Sequence, residues 1–327
     1  MQNNVKWDLG WGNPYFLLEV LDKEYKQKLS PYDIKKMNYA PNNGMHKLIR
    51  LTRNIIKEIT GLDYKYITIT NGATHAISSI LRYYKSIGYE NVLTNKYTYP
   101  YYESLILRAG LSHTKFMFSG NTNNKTFRLI DSPSNPKGEI FLFGSVYKDI
   151  WDAVYFNKIY TNFSVSLHKK YPYHYAMVGS YSKLLGLTGA RVGFIASNHI
   201  FFHEMVGDWA LKDNATVSVP SQELIIDILE KINLNKFMAK GNKYLNNNRE
   251  EFQKIEYLFG GQRVNPNGMF YFVGTDQRAK RLLKKCGINF ISMDDEHIRL
   301  NIGQTKEVVK NSIKEILKKD GKKYGRY

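Results

Sequence analysis

Between residues 66 and 197 the chain alternates short runs rich in β-branched and aromatic residues with longer stretches of helical period, and few architectures accept that rhythm. YITIT (66–70) leads through the turn NGAT (71–74) into the helical HAISSILRYYKSIG (75–88). NVLTN (91–95) is followed by the helical YESLILRAG (102–110). Further strands are expected at HTKFMF (113–118), FRLID (127–131), IWDAVY (150–155), YAMVGS (175–180) and RVGFIAS (191–197). Upstream, MHKLIRLTRNIIKEIT (45–60) carries Leu48, Leu51, Ile55, Ile56 and Ile59 at helical spacing and stops at Gly61. Strands that alternate with helices over short connections imply an α/β domain with a mostly parallel central sheet flanked by helices. Ligands of such sheets bind at the carboxyl ends of the strands, so the residues just after each run are the ones to examine.

From about Trp209 the texture changes. PSQELIIDILEKINLNKFMAKGNKYLNNNREEFQKIEYLF (220–259) reads as one long helical stretch. A strand at MFYFVG (269–274), a helix near DQRAKRLLKKCG, a short strand pair around INFISM and EHIRLNIG, and a final helix over 305–319 follow. That is the outline of a smaller α+β domain. The expected organisation is an N-terminal arm (1–30) packed with the small domain, a large domain (31–208) and a small C-terminal domain (209–327).

Composition narrows the function classes. A chain of 327 residues with 43% hydrophobic and 23% charged residues can bury a large core. No apolar run approaches the ~18 residues of a membrane helix. The N-terminal MQNNVKWDLGWGNP lacks a charged-then-apolar leader pattern, and a cytoplasmic protein is expected. The single cysteine, Cys286, excludes an internal disulfide and a cysteine metal cluster. A net charge of +18 invites a nucleic-acid reading, but the 47 Lys and Arg residues are scattered along the chain, with one dense cluster in the tail KKDGKKYGRY. No nucleic-acid partner is expected. His199, His203 and Glu204 have helical ligand spacing but no further ligand set nearby, so no metal is expected.

The chemistry gathers in SYSKLLGLTGARVGF (180–194). Lys183 directly follows the expected strand YAMVGS and so emerges at the carboxyl edge of the sheet. A lysine that can lose its proton is the usual supplier of a Schiff-base amine. Arg191 offers a planar fork eight residues on, and Ser180 a hydroxyl. The strand–glycine–helix turn at 71–75 is built to receive an anion on a helix N-terminus, though taken alone it is equally a helix cap. S-P-S-N-P (132–136), taken alone, is a plain turn.

Together these segments resemble the class I/II aminotransferases of fold type I, which depend on pyridoxal phosphate, and the resemblance runs from Gly12 to Gly303. It rests on S-x-S-K-x-x-G-L-x-G-x-R-x-G (180–193), N-P-x-G (135–138), D-x-x-Y (152–155), the N-G-A-T turn, W-G-N-P (11–14) and the arginine in HIRLNIG. The fold it implies is a large domain with a mostly parallel sheet and a small α+β domain. The resemblance implies a Schiff base at Lys183, which then shuttles a proton. It further implies phosphate binding by Gly72, Ala73, Thr74, Ser180 and Arg191, a cofactor contact at Ser182, and a carboxylate, Asp152, at the ring nitrogen. Tyr155 and Asn135 would meet the ring's 3′-oxygen, and Tyr99 would cover the ring's face, with Tyr97, Tyr101 and Tyr102 as alternatives for that position. Arg299 would bind the substrate carboxylate beside Gly12 and Asn135. Tyr39 would reach the partner subunit's phosphate, making the enzyme a homodimer with a shared site. The implied substrates are an amino acid and a 2-oxo acid. A short connection between Asn135 and Asp152 is also a feature of the alliinase and plant tryptophan-aminotransferase branch. A lyase or decarboxylase with the same cofactor is therefore the alternative, and a non-catalytic binding protein a more distant one. The side chain of the substrate is not legible.

Overall fold

The computed structural model describes residues 5–25, 38–116, 124–141, 149–161 and 175–321. Its first elements are the two-residue strand β1 (Trp7–Asp8) and helix α1 (Tyr15–Glu24). Helix α2 (His46–Thr60) ends at Gly61, which takes a left-handed conformation at φ 71° and so closes the helix without a Cβ penalty. Then come β2 (Tyr66–Thr70), α3 (Gly72–Ser86), β3 (Asn91–Asn95), α4 (Tyr102–Arg108), β4 (Ser112–Phe116), β5 (Thr126–Asp131) and β6 (Ile150–Asp152). Strand β7 (Ala176–Ser180), the one-turn helix α5 (Tyr181–Leu184), β8 (Gly193–Ser197) and α6 (Ile200–Asn214) complete this half.

Seven of these strands form one sheet in the order β2-β8-β7-β6-β5-β3-β4. All its pairings are parallel except those of β8, which runs antiparallel to both β2 and β7. The mostly parallel sheet expected from the sequence is thus present. Alternate residues face opposite layers. Val92, Phe127, Leu129, Ile150, Val178 and Ile195 pack under α3, α4 and α6, while Ile67, Ile69, Ile130, Trp151, Met177 and Ala196 join the larger core on the other side. Each buried aliphatic side chain of this kind contributes about 1.5–3 kcal/mol relative to exposure.

The C-terminal part holds α7 (Val219–Lys231), α8 (Leu234–Gln253), β9 (Phe270–Gly274), α9 (Gln277–Lys285), β10 (Ile288–Asn289), β11 (Ile291–Ser292), β12 (His297–Asn301) and α10 (Lys306–Lys319). Strands β11, β12 and β9 form a small antiparallel sheet, and β10 pairs in parallel with β1. The single helix expected over 220–259 is instead two helices and a short 3-10 turn. Asn233 interrupts it, because its side chain accepts from the Lys236 backbone N–H and starts a new helix. The strand expected at 150–155 stops at Asp152, whose Oδ1 accepts from the Val154 backbone N–H and turns the chain. The limit expected at residue 208 falls inside α6, which packs unbroken along α3. Residues 26–30 of the expected arm, 117–118 of an expected strand and 322–327 of the basic tail lie outside the described residues. Among the described residues no helix is long and apolar enough to cross a membrane.

Strand β8 begins where three backbones meet. A Cβ on Gly193 would come within 2.6 Å of the Gly72 carbonyl carbon, 2.8 Å of the Ala73 nitrogen and 2.9 Å of the Gly179 oxygen. Backbone of the 72–73 peptide and of Gly179 cannot yield as a side-chain tip can. Gly193→Ala is expected to destabilise the fold by about 1–3 kcal/mol. Gly189→Ala, where nothing lies within 4 Å, should leave stability unchanged. Urea midpoints at constant slope measure both.

Candidate active site

The carboxyl ends of β5, β6 and β7, the start of α3 and the segment Trp11–Asn13 enclose a cavity of about 500 Å³. Of the residues singled out in the sequence, Gly12, Ala73, Thr74, Tyr99, Asn135, Asp152, Tyr155, Ser180, Ser182, Lys183, Arg191 and Arg299 all line it. Gly72 stands just behind Arg191, and Tyr39 does not reach the cavity. Tyr39 is 88% exposed and borders a separate groove with Thr216–Pro220.

Lys183 lies in α5, a helix of one turn capped by the Ser180 hydroxyl, which accepts from the Ser182 N–H at 3.1 Å. The neighbours of Lys183 are locked. Tyr160 donates its hydroxyl to the Lys183 carbonyl at 2.8 Å, and the Tyr181 hydroxyl meets Thr52 Oγ1 at 2.7 Å. The lysine Nζ donates to the Gly12 carbonyl at 2.6 Å. Burial, then the Arg299 and Arg191 charges, lower this amine from its ordinary range to about 8.

Arg191 takes a left-handed backbone, φ 54°, a conformation that costs a side-chain-bearing residue about 1–3 kcal/mol. It turns the guanidinium toward the N-terminus of α3. A Cβ on Gly72 would lie 2.4 Å from Arg191 Nη2, so only glycine admits that approach. At the same turn His75 Nδ1 accepts from the Asn71 N–H at 3.0 Å, which makes this histidine a local cap. Ser182 Oγ is buried and has no hydrogen-bond partner among the described residues. A buried hydroxyl beside a cavity that also holds a guanidinium and a helix start has the donors that could hold an anion.

Asp152, 7% exposed, ends β6. Its oxygens accept from the Tyr102 hydroxyl at 2.5 Å and the Val154 N–H at 3.0 Å. Burial raises this carboxyl above its usual range, and the two hydrogen bonds oppose the rise. Tyr155 is buried edge-on against Tyr160 and Phe270, and desolvation lifts its hydroxyl far above the ordinary tyrosine range.

The tyrosine cluster separates by role. Tyr99 and Tyr101 both line the cavity, Tyr102 lies beneath on Asp152, and Tyr97 turns away to donate to Asp294 at 2.7 Å. Arg299, 6% exposed, donates Nη1 to Asn135 Oδ1 at 2.8 Å and Nη2 to the Gly10 carbonyl at 3.1 Å, over the Phe270 ring at 4.3 Å. Its guanidinium partners are thus an amide oxygen and a backbone carbonyl, with no carboxylate bonded to it among the described residues, and its Nε is buried without an acceptor. A buried guanidinium so placed has capacity to receive an external carboxylate.

Sequence reasoning missed the part several residues play here. Asp131, Trp11 and Thr188 line the cavity, and Tyr102 supports Asp152. Asp131 ends the expected strand FRLID, four residues before Asn135 and directly before S-P-S-N-P, and that proximity was the available signal. Tyr102 carried no signal beyond its membership of the cluster. His203, considered as a metal ligand, instead stacks on Tyr66 and contacts Thr68 Oγ1 at 3.2 Å through Nδ1.

The chain is 26% identical to the (5-formylfuran-3-yl)methyl phosphate transaminase of Methanocaldococcus jannaschii over an alignment of 329 positions, covering 86% of this chain and 83% of the relative. Among solved structures it superposes on a Thermus thermophilus aspartate aminotransferase variant complexed with tryptophan at a TM-score of 0.78, with 16% identity and coverage of 97% of this chain and 92% of the other. The aromatic aminotransferase of Pyrococcus horikoshii gives a TM-score of 0.77 at 17% identity, covering 96% of each chain. These likenesses are of fold. The sequence profile of the aminotransferase class I and II family matches residues 6–316, nearly the whole length, and the chain belongs to that family.

Proposed function

We propose that this enzyme of the aminotransferase class binds pyridoxal phosphate in the cavity around Lys183 and moves an amino group between an amino acid and a 2-oxo acid. The observation that carries the reading is one amine, its pKa lowered by burial to about 8, sharing a small cavity with a buried carboxylate and two guanidinium groups. The family generally depends on this cofactor, and the residues fit it. Arg191, Ser180, the orphaned Ser182 hydroxyl and the α3 N–H groups of Ala73 and Thr74 would hold the phosphate. Gly72 would make room for that contact. Asp152 would meet the ring nitrogen, Tyr155 and Asn135 the 3′-oxygen, and Tyr99 a face of the ring.

When bound, the cofactor supplies an aldehyde that condenses with amines and a ring that accepts the electron pair released at the substrate Cα. The protein's own groups do the rest. Arg299 orients the amino acid by its carboxylate, with the Asn135 side chain fixing the guanidinium. Lys183, neutral as an amine, takes the proton from Cα and returns it. Asp152 keeps a proton at the ring nitrogen by remaining ionised beside it. Trp11, Tyr99 and Tyr101 line the cavity and limit the access of water.

We further propose an N-terminal arm, a large and a small domain, with the change of domain after α6. In a homodimer, Tyr39 would serve the partner subunit's site. Its exposure, away from the cavity of its own subunit, supports that arrangement.

Borohydride reduction of protein incubated with pyridoxal phosphate should add the cofactor's mass to the peptide containing Lys183. Capture needs the neutral amine, so it should rise with pH and reach half its maximum near pH 8, well below an ordinary lysine. Lys183→Ala should take no covalent label and lose about 10²–10⁴ in kcat. Turnover of amino acid that proceeds without a 2-oxo acid acceptor would instead identify a lyase or decarboxylase. Arg299→Leu should raise KM for the amino acid by about 10–100-fold, as expected for losing hydrogen bonds to a charged group. Cofactor capture in that variant should stay intact.

A further inference from the structure

The cavity contains a second buried carboxylate that the reading above leaves without a task. Asp131 ends β5 directly beside Asp152, its register partner on β6, and is 3% exposed. A carboxylate in so dry a place needs donors, and here they come from two different loops. Oδ1 accepts from Thr98 Oγ1 at 2.8 Å, and Oδ2 accepts from the Asn135 backbone N–H at 2.8 Å. Thr98 immediately precedes Tyr99, and Asn135 holds Arg299 through its side-chain oxygen. One side chain therefore joins the aromatic side of the cavity to its guanidinium side.

The same side chain sits where a second negative charge is costly. Burial first, and the neighbouring Asp152 with it, push the Asp131 carboxyl up to about 7 against the opposing pull of its two hydrogen bonds. The titratable groups facing it are Asp152 from β6, Tyr102 from α4 and Tyr155 from the turn after β6. Among the described residues no lysine or arginine bonds it directly, and Arg299 reaches it only through Asn135.

We propose that Asp131 is a positioning residue that clamps the Thr98–Tyr99 loop to Asn135 and shares a single proton with Asp152 across two adjacent strands. The second half rests on the reading of Asp152 as the partner of the cofactor's ring nitrogen. With one proton between two carboxyls, that corner of the cavity keeps one negative charge rather than two. The clamp survives in either state. A hydroxyl both donates and accepts, so Thr98 can donate to the ionised oxygen or accept from the protonated one. The Asn135 N–H keeps its acceptor throughout.

Three variants of the full chain separate clamp from charge. Asp131→Asn keeps size and one acceptor but loses the charge, Asp131→Leu loses both acceptors, and Thr98→Val removes one donor and keeps the carboxyl. The first readout is thermal stability against pH, without added cofactor. An unfolded aspartate titrates at roughly 4, and Asp131 in the fold near 7. Its contribution to stability is therefore complete below the first value and lost as pH rises through the second. The Tm of Asp131→Asn relative to the unaltered protein should climb between those pH values and level off above them. A flat difference overturns the shared proton. The second readout is kcat/KM, expected to fall ~10-fold in Thr98→Val and ~100-fold in Asp131→Leu. Folded Thr98→Val and Asp131→Leu proteins within twofold of the unaltered enzyme overturn the clamp. If the unaltered protein captures no pyridoxal phosphate, the functional reading fails by itself, and the stability–pH comparison still decides the shared proton.

Discussion

A buried lysine amine that shares its cavity with two guanidinium groups cannot keep its proton cheaply, and the arrangement of this molecule follows from that. Lys183 sits at the carboxyl edge of a parallel sheet, with Arg191 on one side and Arg299 on the other. Three cations in a cavity of about 500 Å³ would repel one another in the absence of compensation. The compensation is unequal. Asp152 and Asp131 stand at the next two strand ends, but their hydrogen bonds come from Tyr102, Val154, Thr98 and Asn135, not from the cations. Among the described residues the cations of the cavity are left without a carboxylate hydrogen-bonded to them.

The cavity depends on a wall that the central sheet does not supply. The segment Gly10–Asn13 crosses the mouth of the sheet and is held by the C-terminal part of the chain. Asn301 Nδ2 donates to the carbonyls of Trp11 and Asn13 at 2.6 and 2.9 Å, and the Asn301 N–H donates to the Leu9 carbonyl at 2.7 Å. A connecting segment so satisfied along its backbone behaves as a structural element rather than a loose arm. Through it Arg299, bonded to Gly10, and Lys183, bonded to Gly12, grip consecutive parts of one strip of chain. A shift of this strip would be felt by both groups together.

Legibility in the sequence followed the range of the interaction. The strand–turn–helix unit at 66–86 was readable because a local pattern builds it: five strand residues, a glycine at positive φ, then a helix. Lys183, Ser180 and Arg191 were readable because one compact loop carries all three. The break at Asn233 was not, since apolar spacing continues across it and only the cap bond to Lys236 reveals the new helix. Helix α6 escaped notice for a similar reason, with apolar residues on several faces, among them exposed Ile200, Phe201 and Met205. Asp131 was invisible as a site residue, and Tyr102 was a candidate only for the ring's face and not for Asp152, because each acts on a partner far along the chain or on another strand.

The chain's own letters determined the alternation that makes a sheet with a ligand edge, and the local loops that carry an amine, a guanidinium and a helix start to that edge. Local sterics and hydrogen bonds decide such features within a few residues, so they leave a mark in the order of residues. Only the tertiary structure decided that Arg299 meets Asn135 across 164 positions, that Lys183 reaches the Gly12 carbonyl across 171, and that Asp131 lies against Asp152. Those pairings depend on strand order and on which layers bury together, quantities set by the whole core and written in no single stretch of it.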